Sequence, residues 1–270
     1  MNWLRRNEIA VFLFLSFALS WFIWPLTLMN PNSTPMIPWG PLLSVLIVLG
    51  LTRGLAGIKS LLADMFRWRV GLRWYAFAFL VPIGIAFAAV YLNAALGAPV
   101  PPASAFAISG LLSLIPNLLI TTLIAGPFTE EPGWRGFFLP RLQAKYSPLV
   151  ASLIIGLIWW SWHLPLMISD PMGLRPPLQF LGLTLAFSIL YTWIYNNAKA
   201  SLLLLALLHG VTNQFAGFLF PHQVGEYYLR LWWVYVALWW VVMLFVVMRS
   251  SAPIKTDQPV LMEHGHQQST

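Results

Sequence analysis

The chain has 270 residues, of which 59% are hydrophobic and only 9% are charged, and its mean hydropathy is +0.74. Soluble domains of this length do not have such a composition, so we predict an all-α, polytopic transmembrane helix bundle. The absence of cysteine excludes disulfides, thiol nucleophiles and cysteine-based metal sites.

Hydrophobic runs long enough to form membrane helices follow one another along the chain. Arg5 and Arg6 precede the first run, which is about twice as long as a signal-peptide core and lacks a small-residue cleavage site, so we expect it to be retained. The second run is short and contains Pro38 and Pro41. The runs lack the alternation of barrel strands, and most approach the ~20 residues that a helix needs to cross the hydrocarbon. We predict eight spans, at residues 9–29, 37–52, 74–97, 106–128, 148–168, 178–195, 201–220 and 229–249.

Lysine and arginine are distributed unevenly between the connections. With the N-terminus inside, thirteen lie in inner segments and only two, Arg175 and Arg230, lie in outer loops. This bias predicts cytoplasmic termini in a multi-pass protein of the plasma (inner) membrane. The bias also accounts for the net charge of +7. Nucleic acid is not a predicted partner, because it would need one dense basic face, whereas the lipid bilayer is. Residues 1–249 are predicted to form one transmembrane domain, and residues 250–270 a polar, disordered tail in which His264 and His266 are a weak metal tract.

Two adjacent glutamates and an arginine stand within this apolar sequence, at Glu130, Glu131 and Arg135. A charge in a bilayer costs roughly 2.5–3.5 kcal/mol on insertion scales, so these residues indicate a functional site. Glu131 and Arg135 are four residues apart and share a helix face, which predicts that they pair as structural support. Glu130 points about 100° away and is predicted to face a cavity. Pro132 and Gly133 predict a kink or local unwinding beside the carboxylates.

Two later apolar segments each contain a histidine. His163 and Glu130 each lie fifteen residues from the turn between the fourth and fifth spans. At a rise of ~1.5 Å per residue, they are predicted to face each other at one depth in neighbouring antiparallel helices. His209 and Asn213 lie one helical turn apart and predict a paired donor surface suited to an oxyanion.

These polar residues also have purely structural interpretations. His163 could bond a backbone carbonyl, and His209 with Asn213 could hold two helices together. Glu130, which has no basic partner in the local sequence, is the hardest to explain in that way. The chain has no His-Glu-x-x-His helix and no Gly-x-Ser-x-Gly elbow. A hydrolase would therefore have to use the glutamate and the histidines.

These residues resemble the motifs of the CAAX prenyl endopeptidase and bacteriocin-processing (CPBP, or Abi) intramembrane proteases. The three motifs of that family are Glu-Glu-x-x-x-Arg, an aromatic residue (usually Phe) followed by x-x-x-His, and His-x-x-x-Asn or -Asp. This chain matches them in order, between residues 129 and 214, at Glu130, Glu131 and Arg135, then at Trp159 and His163, then at His209 and Asn213. The tryptophan at the aromatic position is a mild departure from the pattern.

The resemblance implies that the protein hydrolyses a peptide bond inside the membrane. Glu130 and His163 would activate a water molecule, and His209 and Asn213 would stabilise the oxyanion. Members are often labelled metalloproteases. We favour a reaction without a metal cofactor and keep open the alternative of zinc held by Glu130, His163 and His209.

The resemblance leaves the substrate undetermined. A prenylated C-terminal peptide, a leader peptide and a transmembrane regulator are all compatible with it, so the predicted partner is a peptide or membrane-protein substrate. Two other functions compete with proteolysis. One is proton-coupled transport, which also uses intramembrane Glu and His. The other is a non-catalytic scaffold of the same fold.

Overall fold

The computed structural model describes residues 2–30, 33–124, 126–170 and 175–249. The predicted tail at 250–270, with His264 and His266, lies outside these ranges. Within them, the regular elements are all helical. The α-helices, in chain order, are α1 (Asn2–Arg6), α2 (Glu8–Trp21), α3 (Gly40–Met65), α4 (Leu72–Ala95), α5 (Ile108–Leu123), α6 (Pro127–Glu131), α7 (Leu139–Gln143), α8 (Pro148–Trp162), α9 (Leu164–Ile168), α10 (Pro177–Asn197), α11 (Leu202–Leu219) and α12 (Gly225–Arg249).

Seven helical stretches in the described part of the chain are long and apolar enough to cross a membrane. They are Glu8–Leu28, Gly40–Met65, Leu72–Ala95, Gly110–Gln143, Pro177–Asn197, Leu202–His222 and Gly225–Arg249. The predicted fifth span consists instead of the shorter apolar helix α8 followed by α9. The chain is therefore a multi-pass helical membrane protein, as its composition predicted.

α3 consists of two helical segments joined by a kink. The first, from Gly40 to Gly54, corresponds to the span expected at residues 37–52, and the second continues to Met65. Pro41 does not interrupt this helix because it occupies the first turn, where the missing N–H has no intrahelical partner anyway. A kink follows at Gly54, whose φ of 61° lies in the left-handed region. Glycine adopts this conformation without the steric cost of a Cβ, so the helical chain can change direction there.

The two central helices of the bundle are α10 and α11. In the apolar part of each span, the share of residues that are buried is 67% for the span with α10 and 61% for the span with α11. This share does not exceed 33% in the other spans. α10 packs against α8 and α12, and α11 packs against α4 and α5. His209 and Thr212 of α11 are therefore enclosed by neighbouring helices, whereas Asn213 is exposed.

The helix unwinds partly beside the two glutamates. α6 ends at Glu131, and a π-helical segment, Pro132–Phe138, follows before α7 begins. Such segments have a wider turn than an α-helix and often occur at functional sites. The local unwinding predicted at Pro132 and Gly133 is thus confirmed.

Hydrogen bonds between the connections define two ends of the bundle. One end, which we call the Pro99 end, contains the connecting residues 22–30, 33–39, 96–107, 169–170, 175–176 and 220–224. It is joined by bonds from Trp24 to Ser169 (2.9 Å) and from Gln223 to the Pro99 carbonyl (2.6 Å). The other, the Arg67 end, contains the N-terminal residues and the connections at 66–71, 144–147 and 198–201. It is joined by Ser201 to the Arg67 carbonyl (2.6 Å) and by Arg141 to Glu8 (2.7 Å).

Candidate active site

The four residues predicted to act in catalysis border one cavity. The cavity has a volume of about 660 Å³, and its walls include Glu130, His163, His209 and Asn213. They come from α6, from the C-terminal end of α8 and from α11. The glutamate and both histidines are buried, whereas Asn213 is exposed. Helix packing therefore brings the three motifs together around one space.

Glu130 is positioned by two neighbours. The indole Nε1–H of Trp159 donates a hydrogen bond of 2.7 Å to its Oε2. Its Oε1 lies close to Gly126, and a Cβ added to that glycine would be 2.8 Å from this oxygen. One carboxylate oxygen is thus bound by a buried donor, and the other lies against the chain just before α6. The predicted orientation of Glu130 toward a cavity is confirmed.

His163 terminates α8 and is anchored by the same tryptophan. Its Nδ1 lies 2.8 Å from the backbone oxygen of Trp159. A carbonyl oxygen can only accept, so Nδ1 is the protonated nitrogen and Nε2 is left to face the cavity as an acceptor. The ring also packs edge-on against Trp162 and Phe180, with centroids 4.8 Å and 5.0 Å apart. The sequence allowed a structural role in which His163 bonds a backbone carbonyl. That hydrogen bond is present, and it also fixes the tautomer and the orientation of the ring.

Glu131 and Arg135 lie behind the cavity wall and are completely buried. Nη1 of Arg135 donates to Oε1 of Glu131 at 3.2 Å, which confirms the predicted pairing. The guanidinium group also lies over the ring of Trp159, 4.5 Å from its centroid. Arg135 therefore supports the tryptophan that binds Glu130 as well as the neighbouring carboxylate.

His209 contacts the same buried carboxylate. Its Nδ1 is 3.0 Å from Oε1 of Glu131. A carboxylate paired with arginine accepts hydrogen bonds, so Nδ1 donates, and Nε2 is the nitrogen that remains for the cavity. A neutral ring presents a lone pair there, and a protonated ring presents an N–H. Asn213, one turn along the same helix, adds an amide group to the cavity wall.

The three alternative zinc ligands are not arranged as a metal site. Within the described ranges, no group of three or more His, Asp or Glu side chains could hold a metal ion. Zinc needs its donor atoms about 2.0–2.2 Å from one point. Glu130 is bonded through Oε2 to Trp159, and His209 is bonded through Nδ1 to Glu131. The three side chains, as described, do not form a metal-binding group, and the zinc alternative is tested by the chelator experiment below.

Sequence patterns do not reveal three of the contacts that shape this site. Trp159 stood out only as the aromatic member of a motif, and its bond to Glu130 joins side chains of two different helices, α8 and α6. Gly126 precedes Pro127 in a helix-start pattern, which gives no indication of its contact with Glu130. The bond between His209 and Glu131 joins residues 78 positions apart.

Comparison with known proteins bears on the same region. Residues 112–215 match the model of a family described as type II CAAX prenyl endopeptidase, Rce1-like. This range contains the four residues that were predicted to act in catalysis. A curated relative, CAAX prenyl protease 2 of Methanococcus maripaludis, is 31% identical over 104 residues. The matched part is 36% of this chain and 38% of the relative. The chain thus spans less than half of the length of that relative.

Proposed function

Because residues 112–215 match the Rce1-like family of type II CAAX prenyl endopeptidases, we propose that this membrane protein hydrolyses a peptide bond inside its cavity. The observation that supports this function best is the convergence of Glu130, His163, His209 and Asn213 on one space. An acid–base pair can activate water for amide hydrolysis, and a donor pair can stabilise the oxyanion that forms.

A water molecule would be activated between Glu130 and His163. Because Nδ1 of His163 donates to a carbonyl, Nε2 accepts one O–H of the water and orients it. The carboxylate of Glu130 takes the other proton while the water oxygen bonds to the carbonyl carbon of the substrate. The same proton then passes from Glu130 to the amine nitrogen as the C–N bond breaks.

The negative charge that develops on the substrate oxygen would be stabilised from α11. Asn213 donates from its amide group, and His209 donates from Nε2 when its ring carries both protons. Glu131 lies against Nδ1 of that ring and would compensate its positive charge. Removal of one such donor typically lowers kcat by about 10²–10³.

The test is cleavage by the purified protein of two synthetic peptides, one ending in a farnesylated CAAX sequence and one unmodified transmembrane segment. Glu130→Gln keeps the size of the side chain and an oxygen that can accept from Trp159, so we expect a folded protein. Cleavage should fall by about 10²–10⁴-fold, because the general base is lost. Mass spectrometry identifies the products.

The matched control is Glu226→Gln, which changes an exposed glutamate in the first turn of α12. It should cleave like the wild type. Wild-type cleavage by Glu130→Gln would refute the proposed role of Glu130. The assay is repeated with a chelator. Loss of activity that zinc restores would favour the alternative in which Glu130, His163 and His209 bind zinc, contrary to the proposed mechanism.

A further inference from the structure

The walls of the cavity, as far as the structure describes them, reach one end of the bundle. Its walls contain several residues from connections at the Pro99 end, namely Thr34, Met36, Ile37, Pro38, Arg175 and Pro221. Among the residues that the structure describes, the walls contain none from the connections at the Arg67 end. The path from outside the protein to Glu130 therefore begins at the Pro99 end.

Positive charge distinguishes this end from the other. Arg175 and Arg230 are the only lysine or arginine residues assigned to its connections and adjacent helix turns. The Arg67 end has most of the rest, including Arg5, Arg6, Arg67, Arg69, Arg73, Arg141, Lys145, Lys199 and Arg249. The sequence analysis counted Arg135 among the inner residues, but this arginine is buried inside the bundle. The excess of lysine and arginine at the Arg67 end persists without it. Positively charged connections lie on the cytoplasmic side of membrane proteins.

Together, the path of the cavity and the charge bias identify the face from which substrate arrives. Given the proposed endopeptidase activity, we infer that the peptide enters from the non-cytoplasmic face. The substrate class is then a segment of an exported or membrane-anchored protein that is presented on that face. A lipid-modified C-terminus in the cytoplasm would meet the Arg67 end, where the cavity has no described wall residues.

The absence of natural cysteines makes the orientation directly measurable. Thr34→Cys places a single thiol at the cavity mouth, and Lys145→Cys places one at the opposite end. Both positions are exposed. In intact cells, a membrane-impermeant maleimide should label Thr34→Cys, whereas Lys145→Cys should react only after permeabilisation. The reverse pattern, or labelling of both variants in intact cells, would overturn the inference.

A second measurement follows substrate entry itself. A charged, membrane-impermeant peptide that the protein cleaves in detergent is added to sealed vesicles of either orientation. We expect cleavage by right-side-out vesicles, and by inside-out vesicles only after detergent opens them. Cleavage by sealed inside-out vesicles would overturn the entry route. If no peptide is cleaved even in detergent, the endopeptidase activity fails, while the maleimide experiment still decides the face of the mouth.

Discussion

The hydrogen bond between Trp159 and Glu130 offers the sharpest test of how this site is held together. Trp159→Phe removes the indole N–H that lies 2.7 Å from Oε2. It keeps an aromatic face beneath the guanidinium of Arg135, which is 4.5 Å from the present ring centroid. Phenylalanine is also the usual residue at this position in the CPBP family, whose motifs this chain resembles. The substitution therefore isolates one donor on the carboxylate.

The size of the effect follows from the chemistry of the bond. A hydrogen bond to a charged group contributes about 1.5–3 kcal/mol, and each ~1.4 kcal/mol is a factor of ten in rate. If the bond holds Glu130 in its productive position, kcat/KM should fall by about 10- to 150-fold. Most of the loss should appear in kcat, because in the proposed mechanism the carboxylate acts on the water molecule.

The assay compares peptide cleavage and thermal unfolding in Trp159→Phe and in a matched control, Trp240→Phe. Trp240 is half-buried and donates to the carbonyl of Gly182 at 3.0 Å, outside the cavity walls. Its replacement should lower stability without a comparable loss of kcat. If Trp159→Phe retains activity within about twofold of the control, the indole N–H does not position Glu130 and the reasoning is refuted.

Two further substitutions separate the roles of the paired glutamates and their surroundings. Gly126→Ala places a Cβ 2.8 Å from Oε1 of Glu130, so we expect the carboxylate to be displaced and cleavage to fall by at least tenfold. Gly84→Ala, where a Cβ meets open space, should cleave normally, and equal activity of the two variants would contradict the contact. Glu131→Gln leaves the buried guanidinium of Arg135 without its counter-charge, and breaking a buried pair costs about 3–5 kcal/mol. Thermal melts should therefore show a clear loss of stability for Glu131→Gln but not for Glu130→Gln, and similar melting temperatures for both would argue against the division between a structural and a cavity-facing carboxylate.

Much of the local structure around the carboxylates could be predicted from the sequence. The four-residue spacing of Glu131 and Arg135 determines their common helix face, and this pair forms as expected. Pro132 and Gly133 indicated an irregular helix, which is the π-helical segment. Such features depend on residues close together in the chain, and periodicity and backbone chemistry are sufficient to infer them.

The contacts that complete the site depend on helix packing, and no local pattern predicts them. The approach of Trp159 to Glu130 requires the relative rotation of α8 and α6, and the bond from His209 to Glu131 requires the position of α11. Pro38 and Pro41 made the second span the least certain one from sequence, whereas Pro41 occupies the first turn of α3 and does not interrupt it. The catalytic roles of Glu130 and His163 remain predictions that kinetic measurements must test.

The buried pair of Glu131 and Arg135 also affects how the protein is synthesised. The two residues leave the ribosome four positions apart, so their charges can neutralise each other within one nascent segment. This lowers the insertion cost that two separate charges of ~2.5–3.5 kcal/mol each would impose. His209 follows Glu131 by 78 residues, after α8 and α10 have been made. In the proposed mechanism α11 supplies both oxyanion donors, so the site is completed only late in translation.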